Sequence, residues 1–147
     1  MNYRNATLSD LPVIVSIYNS TIASRMVTAD TTAVTVDDKL EWFYRHQPKT
    51  RPLWMVETEE KIIAWVSFND FYGRPAYDGT AELSIYLHPD ARRKGYGTKI
   101  LQYAVTQAPS LQIHTLLGFI LTDNGPSIRW FEQAGFTEWG LLKNIAL

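Results

Sequence analysis

The chain contains no cysteine. That excludes disulfides, thiolate metal sites and a covalent thiol nucleophile. Excess charge is also missing. Fourteen Lys and Arg stand against fifteen Asp and Glu, for a net charge of −1, so nothing draws the whole molecule to nucleic acid or anionic lipid. No uncharged run approaches the length that spans a bilayer. The opening MNYRNATLSD lacks the basic start and apolar stretch of a secretory signal. Repeats, low-complexity tracts and linkers are absent. His46, His88 and His114 are scattered without metal-ligand spacing, so no metal is expected. What is present is a globular balance, 46% hydrophobic and 20% charged over 147 residues, enough for one domain with a core. The expectation is a soluble cytoplasmic protein with a single domain spanning residues 1–147.

The order of elements follows from periodicity. Tyr3 to Ala6 reads as a short strand. A helix follows, with Thr7 or Ser9 as N-cap and Asp10 in its first turn. Leu11, Ile14, Val15 and Tyr18 recur at helical spacing and make one apolar stripe. Asn19 to Val34 reads as loop with room for a short helix. Thr35 and Asp38 form a capping pair for a second helix to about His46. Leu53–Thr58 and Ile62–Asn69 read as a hairpin joined by Glu59-Glu60-Lys61. Strands are further expected over Thr80–His88, Thr115–Thr122 and Phe136–Leu142, and helices over Gly95–Gln107 and Pro126–Ala134. Gly135 stands where a C′ glycine belongs. The order indicates an α/β fold: a mixed, mostly antiparallel sheet flanked by helices, with a βαβ unit late in the chain.

The chemistry concentrates between Glu82 and Thr98. There a strand leads into Arg92-Arg93-Lys94, then Gly95-Tyr96-Gly97, then a helix start. Glycines let backbone N–H groups approach a ligand closely, and the helix start adds unpaired donors and a positive dipole end. This arrangement suits a pyrophosphate; the bland alternative is a solvated basic turn. The P-loop pattern is absent, and a dinucleotide fingerprint would need a third glycine and an early βαβ position.

Arg92-x-x-Gly95-x-Gly97 after a strand resembles the acyl-CoA-binding signature of the GNAT superfamily of N-acetyltransferases. Asn124-Gly-Pro-Ser127 followed by Phe131-Glu-Gln-Ala-Gly135-Phe136 is similar to that superfamily's second signature. Arg74-Pro-Ala-Tyr77-Asp-Gly-Thr-Ala-Glu82 resembles the phosphinothricin and methionine sulfoximine acetyltransferase family. The likeness spans about residues 2 to 142. It implies a splayed strand pair at the acyl-CoA site and acetyl-CoA as cosubstrate, with no metal. Main-chain groups of Ile85, Tyr86 and Leu87 would pair with the pantetheine, one N–H polarising the thioester carbonyl. Arg92 opens the signature, and Arg93, Lys94, Gly95, Tyr96, Gly97 and Thr98 would surround the pyrophosphate. Asn124 would bond the pantetheine, with Ser127 nearby. Glu82 matches the general base, which an ammonium acceptor requires before it can attack a thioester. Arg74 and Tyr77 match positions that hold an amino-acid substrate, and Arg presents a planar fork to a carboxylate or phosphinate.

The chain departs from the pattern twice. Phe131 stands where relatives carry Tyr or His and cannot donate a proton, leaving the thiolate to water, Tyr86 or Tyr96. The sequence also ends at Leu147, where relatives continue through a further strand. The implied reaction is acetylation of the primary amine of a small amino acid or analogue, by a homodimer. Alternatives are acetylation of peptide N-termini or polyamines, or a non-catalytic acyl-CoA-binding module.

Overall fold

The computed structural model describes residues 1–22, 32–72, 75–120 and 124–141. The expected loop from Asn19 to Val34 lies largely outside them. In chain order the elements are β1 (Asn2–Asn5), α1 (Leu11–Asn19), α2 (Leu40–Tyr44), β2 (Leu53–Thr58), β3 (Lys61–Asp70), β4 (Thr80–Leu87), α3 (Tyr96–Gln107), β5 (Thr115–Leu117) and α4 (Gly125–Gln133). The strands form one sheet in the order β1-β2-β3-β4-β5. All neighbours are antiparallel except β4 and β5, which α3 connects as a parallel crossover.

Alternation along the strands divides the core in two. Ala64, Val66 and Phe68 of β3 and Ala81, Leu83 and Leu87 of β4 face α3, whose Ile100, Leu101 and Ala104 seal them. Trp65 turns the other way and joins Leu53 and Met55 of β2 beneath Leu11, Ile14, Val15 and Ile17 of α1. Trp65 Nε1 donates to the Ile14 carbonyl at 3.1 Å, which fixes α1 on the sheet. The β2–β3 turn adopts positive φ at both Glu59 (52°) and Glu60 (64°), the hand that matches the twist of a two-residue hairpin.

The structure corrects several expectations. The Thr35–Asp38 cap is present: Thr35 N donates to Asp38 Oδ2 at 2.9 Å, and Asp38 N to Thr35 Oγ1 at 3.1 Å. A 3-10 turn at Asp37–Lys39 follows it, however, and α2 stops at Tyr44 rather than His46. The last turn tightens, with His46 N donating to Phe43 O at 3.2 Å, and Pro48 disfavours helical backbone at Gln47. Gly95 lies outside α3 as its N-cap. β5 ends at Leu117, not Thr122. Just beyond it, a Cβ on Gly118 would sit 2.4 Å from the Phe131 ring, so α4 packs where a longer strand would run.

Residues 136–141 form no strand, and Leu142 lies outside the described residues. The segment instead closes α4. Gly135, at φ 97°, is indeed the C′ residue of α4. Phe136 N donates to Phe131 O at 2.9 Å and Gly135 N to Glu132 O at 3.1 Å. The Phe131 and Phe136 rings meet at 4.9 Å. This is a Schellman ending with its hydrophobic contact, and it takes Phe136 as a helix-cap partner. Trp139 is 78% exposed.

Candidate active site

β3 and β4 lie in register as Trp65–Tyr86, Ser67–Ser84 and Asn69–Glu82. Because side chains alternate, all three pairs face the same side of the sheet. They form the floor of a cavity of about 270 Å³. Ile14, Val15 and Tyr18 of α1, with Val34, Lys39 and Trp42, form its roof. Sequence reading missed most of this lining. Its trace was Ser67-x-Asn69 and Glu82-x-Ser84-x-Tyr86, polar positions at period two in otherwise apolar strands.

Glu82 lies at the end of the floor. Burial raises its carboxyl above the ordinary value of 4.5 because desolvation penalises the charged form. Among the described residues none donates a hydrogen bond to Glu82 or pairs with it. Glu82 is also where β4 and β5 part. Their pairing runs only Thr80–Thr115, Ala81–Leu116 and Glu82–Leu117. From Leu83 to Leu87, β4 has no strand partner on that side among the described residues. This is the expected splay. Ile85 and Leu87 turn to the α3 face, opposite Val66 and Ala64. Tyr86 stacks on Trp65 at 4.6 Å.

The turn after β4 is strongly bent. Arg93 (φ 64°) and Gly95 (φ 80°) are both left-handed. Arg93 and Lys94 are exposed. Arg92 is tied back: its Nη2 donates to Ser20 Oγ at 3.0 Å and lies 3.5 Å from the Leu87 carbonyl. Gly97 needs to be glycine for a reason other than ligand approach. It is buried, and a Cβ there would lie 2.9 Å from the Trp130 ring, so close packing of α3 against α4 requires glycine there whatever its main chain binds. Tyr96 packs beside the same core, and Thr98 is half-buried. Buried Asn124 caps α4, its Oδ1 accepting from Ser127 N at 3.3 Å. Phe131 is core, between Gly118 and Phe136. Exposed Tyr77 lies edge-on to Phe71 and Tyr72 and does not line the cavity. Arg74 lies outside the described residues.

His46, isolated in sequence, is tied to the floor. Its Nδ1 is 2.9 Å from the Trp42 carbonyl and its Nε2 is 2.9 Å from Ser67 Oγ. A carbonyl only accepts, so Nδ1 carries the proton and Nε2 accepts from the Ser67 hydroxyl. Ser67 Oγ accepts in turn from Asn69 Nδ2 at 2.8 Å. Burial lowers the His46 pKa below 6.5, keeping the ring neutral. An unfolded histidine binds a proton more readily, so the contribution is present above about pH 6.5 and lost as pH falls toward the folded value. The melting temperature is expected to drop between pH 7.5 and pH 5. His46→Gln should flatten the part of that drop that comes from this ring, as scanning calorimetry at both pH values would measure.

The family model for "Acetyltransferase (GNAT) family" matches residues 15–136. The chain belongs to this family. YwnH of Bacillus subtilis (strain 168), provisionally named a phosphinothricin acetyltransferase, is 52% identical over 147 residues, covering 99% of this chain and 90% of YwnH. The L-methionine sulfoximine/L-methionine sulfone acetyltransferase of Pseudomonas paraeruginosa is 26% identical, covering 97% of this chain and 83% of that protein. A solved GNAT phosphinothricin acetyltransferase from Sinorhizobium meliloti, in complex with acetyl-CoA, superposes with a TM-score of 0.88 at 26% identity, covering 99% of this chain and 79% of that one. The protein is an acetyl-CoA-dependent N-acetyltransferase, and acetyl-CoA is its cosubstrate.

Proposed function

We propose that this GNAT enzyme acetylates the primary amine of a small amino acid or analogue of the phosphinothricin or methionine sulfoximine kind, with Glu82 as general base. The observation that carries the reading is the position of Glu82. It is a desolvated carboxylate in the cavity floor, at the point where β4 leaves β5. A carboxylate whose pKa is raised toward neutrality takes a proton from an ammonium acceptor more readily than an exposed one. The freed amine attacks the thioester carbonyl carbon, a C–N bond forms, the C–S bond breaks and CoA leaves as thiolate. The acylated nitrogen sheds one proton to become the neutral amide, balancing the proton that the thiolate takes up. Tyr86 lines the cavity and Phe131 is sealed in the core, so water or Tyr86 is the better proton source for that thiolate. The cavity volume suits a small acceptor, and the names of the relatives support this substrate class.

The residues present fit acetyl-CoA. The unpaired edge of Leu83–Leu87 offers main-chain donors and acceptors for a pantetheine strand, including those of Ile85, Tyr86 and Leu87. Arg93, Lys94, Gly95 and the N–H groups opening α3 would hold the pyrophosphate. Asn124 and Ser127 flank the opposite helix start. Arg93→Ala with Lys94→Ala should weaken CoA binding roughly 3- to 30-fold, most at low salt, as calorimetric titration would read. Arg74 and Tyr77 remain candidates for the acceptor's α-carboxylate. Exposed Phe119 and Trp139 support a homodimer that covers them, and a cytoplasmic site belongs to the same reading.

The test is thiol release from acetyl-CoA with a panel of amino acids, phosphinothricin, methionine sulfoximine, peptides and polyamines. Turnover confined to free amino acids and their analogues is expected. A preference for peptides or polyamines would overturn it.

A further inference from the structure

Among the described residues, two charged side chains of opposite sign line the cavity: Glu82 in the floor and Lys39 in the roof. Lys39 closes the 3-10 turn before α2. Its Nζ lies 5.1 Å from the Tyr18 ring centroid and 5.6 Å from that of Trp42, within the range of cation–π attraction. Rings from two helices therefore hold the ammonium at the cavity wall. Among the described residues no carboxylate forms an ion pair with it. The adjacent Asp38 is near enough to feel the Lys39 charge, but its carboxylate is hydrogen-bonded to Thr35. A half-buried cation facing a cavity, with no contacting carboxylate among the described residues, suits an anion brought by a ligand.

The location of Lys39 says which part of an acceptor that is. Tyr18 meets Tyr86 at 5.3 Å, and Trp42 meets Trp65 at 5.4 Å. Trp65–Tyr86 is the register pair at one end of the floor, and Asn69–Glu82 lies at the other. From Tyr86 to Glu82 the strand rises roughly 13 Å. The α-carboxylate of an amino acid is a single carbon from its amine. With the amine at Glu82, a group several bonds further along the side chain comes closer to the Lys39 end of the cavity than the α-carboxylate does. Ser84 lies between and offers a hydroxyl along the way. Resting on the function proposed above, we infer that Lys39 recognises a distal anionic group of the acceptor. The substrate class is then an amino acid whose side chain ends in a carboxylate, phosphinate or comparable oxyanion.

The experiment compares phosphinothricin with norleucine, which has a similar length and no distal oxyanion. The ratio of their kcat/KM values is measured for the wild type, Lys39→Met and Lys39→Arg. Lys39→Met should lower the preference for phosphinothricin about 10- to 100-fold, mainly through its KM, and Lys39→Arg should restore part of it. Calorimetric titration of phosphinothricin into the wild type and both Lys39 variants gives a second readout, in which Lys39→Met loses binding that Lys39→Arg partly keeps. An unchanged preference ratio, with titration isotherms indistinguishable from wild type, would overturn the assignment and mark Lys39 as a packing residue. Phosphinothricin binding that depends on Lys39, with no turnover of any amine by the wild type, would sink the proposed reaction while leaving Lys39 as the anion site.

Discussion

Replacing Glu82 by glutamine is expected to lower kcat/KM by about 10²- to 10⁴-fold, the usual contribution of a positioned general base. Glutamine keeps the shape of the side chain and cannot take a proton. The fold should survive the change. Burial raises the Glu82 carboxyl above 4.5, so the unfolded chain releases that proton first. The native state therefore loses stability as pH rises from about 4.5 through the folded value. Glutamine removes that cost, and the variant should melt at or above the wild-type temperature at neutral pH. In the wild type, kcat/KM should fall on acidification with a pKa above the ordinary carboxylate range, and the variant should lose that limb. A glutamine variant that retains more than a tenth of the activity, with the same acid limb, would show that another group takes the proton. Stopped thiol-release assays across pH 5 to 9, paired with melting curves, separate these outcomes.

The second large effect concerns Phe68→Ala, which should cost about 3–5 kcal/mol, a large share of the roughly 5–15 kcal/mol typical of a whole domain. Phe68 is fully buried and meets Trp54 edge-on at 5.0 Å. Its cross-strand neighbour is Leu83. The cavity left behind would lie inside a core shared by the sheet and α3, where closing it requires moving a central strand. Urea unfolding should show a lower midpoint with an unchanged slope. Ser67 and Asn69 flank Phe68 and face the acceptor cavity, so any relaxation of β3 should also raise the KM for the acceptor. A loss below about 1 kcal/mol would mean that the aromatic packing around Trp54 is looser than this geometry implies.

Features governed by neighbours in sequence were legible before the structure. The α1 stripe, the Thr35–Asp38 cap, the β2–β3 hairpin and the C′ glycine at Gly135 each depend on residues within a few positions. Leu11, Ile14 and Val15 of the stripe are buried and Tyr18 packs half-buried on the same core; the stripe left out Ile17, which is also buried because α1 leans on Met55 and Trp65. A last strand was expected from Phe136 onward, yet Phe136 packs back onto Phe131 as part of the helix ending, which an apolar residue after a C′ glycine does not by itself distinguish from a strand start. Glu82 stood out through its match to the family's general-base position. Ser67, Asn69, Ser84 and Lys39 did not, because only the β3–β4 register and the roof above it bring them together. Gly97 looked like half of a phosphate signature, but the Trp130 ring that requires it is far along the chain.

In the function proposed above, β4 would serve two substrates with two different aspects of one strand: its unpaired edge would take the acyl donor, and the alternate side chains Glu82, Ser84 and Tyr86 would face the acceptor. Losing or gaining one residue within it would swap Glu82, Ser84 and Tyr86 with the apolar set packed on α3, so the strand tolerates no change of length. The roof is under no such restriction, since helices and loops can shift or exchange side chains without disturbing a register. Acceptor preference is thus free to diverge above the sheet while the transfer chemistry below it stays fixed.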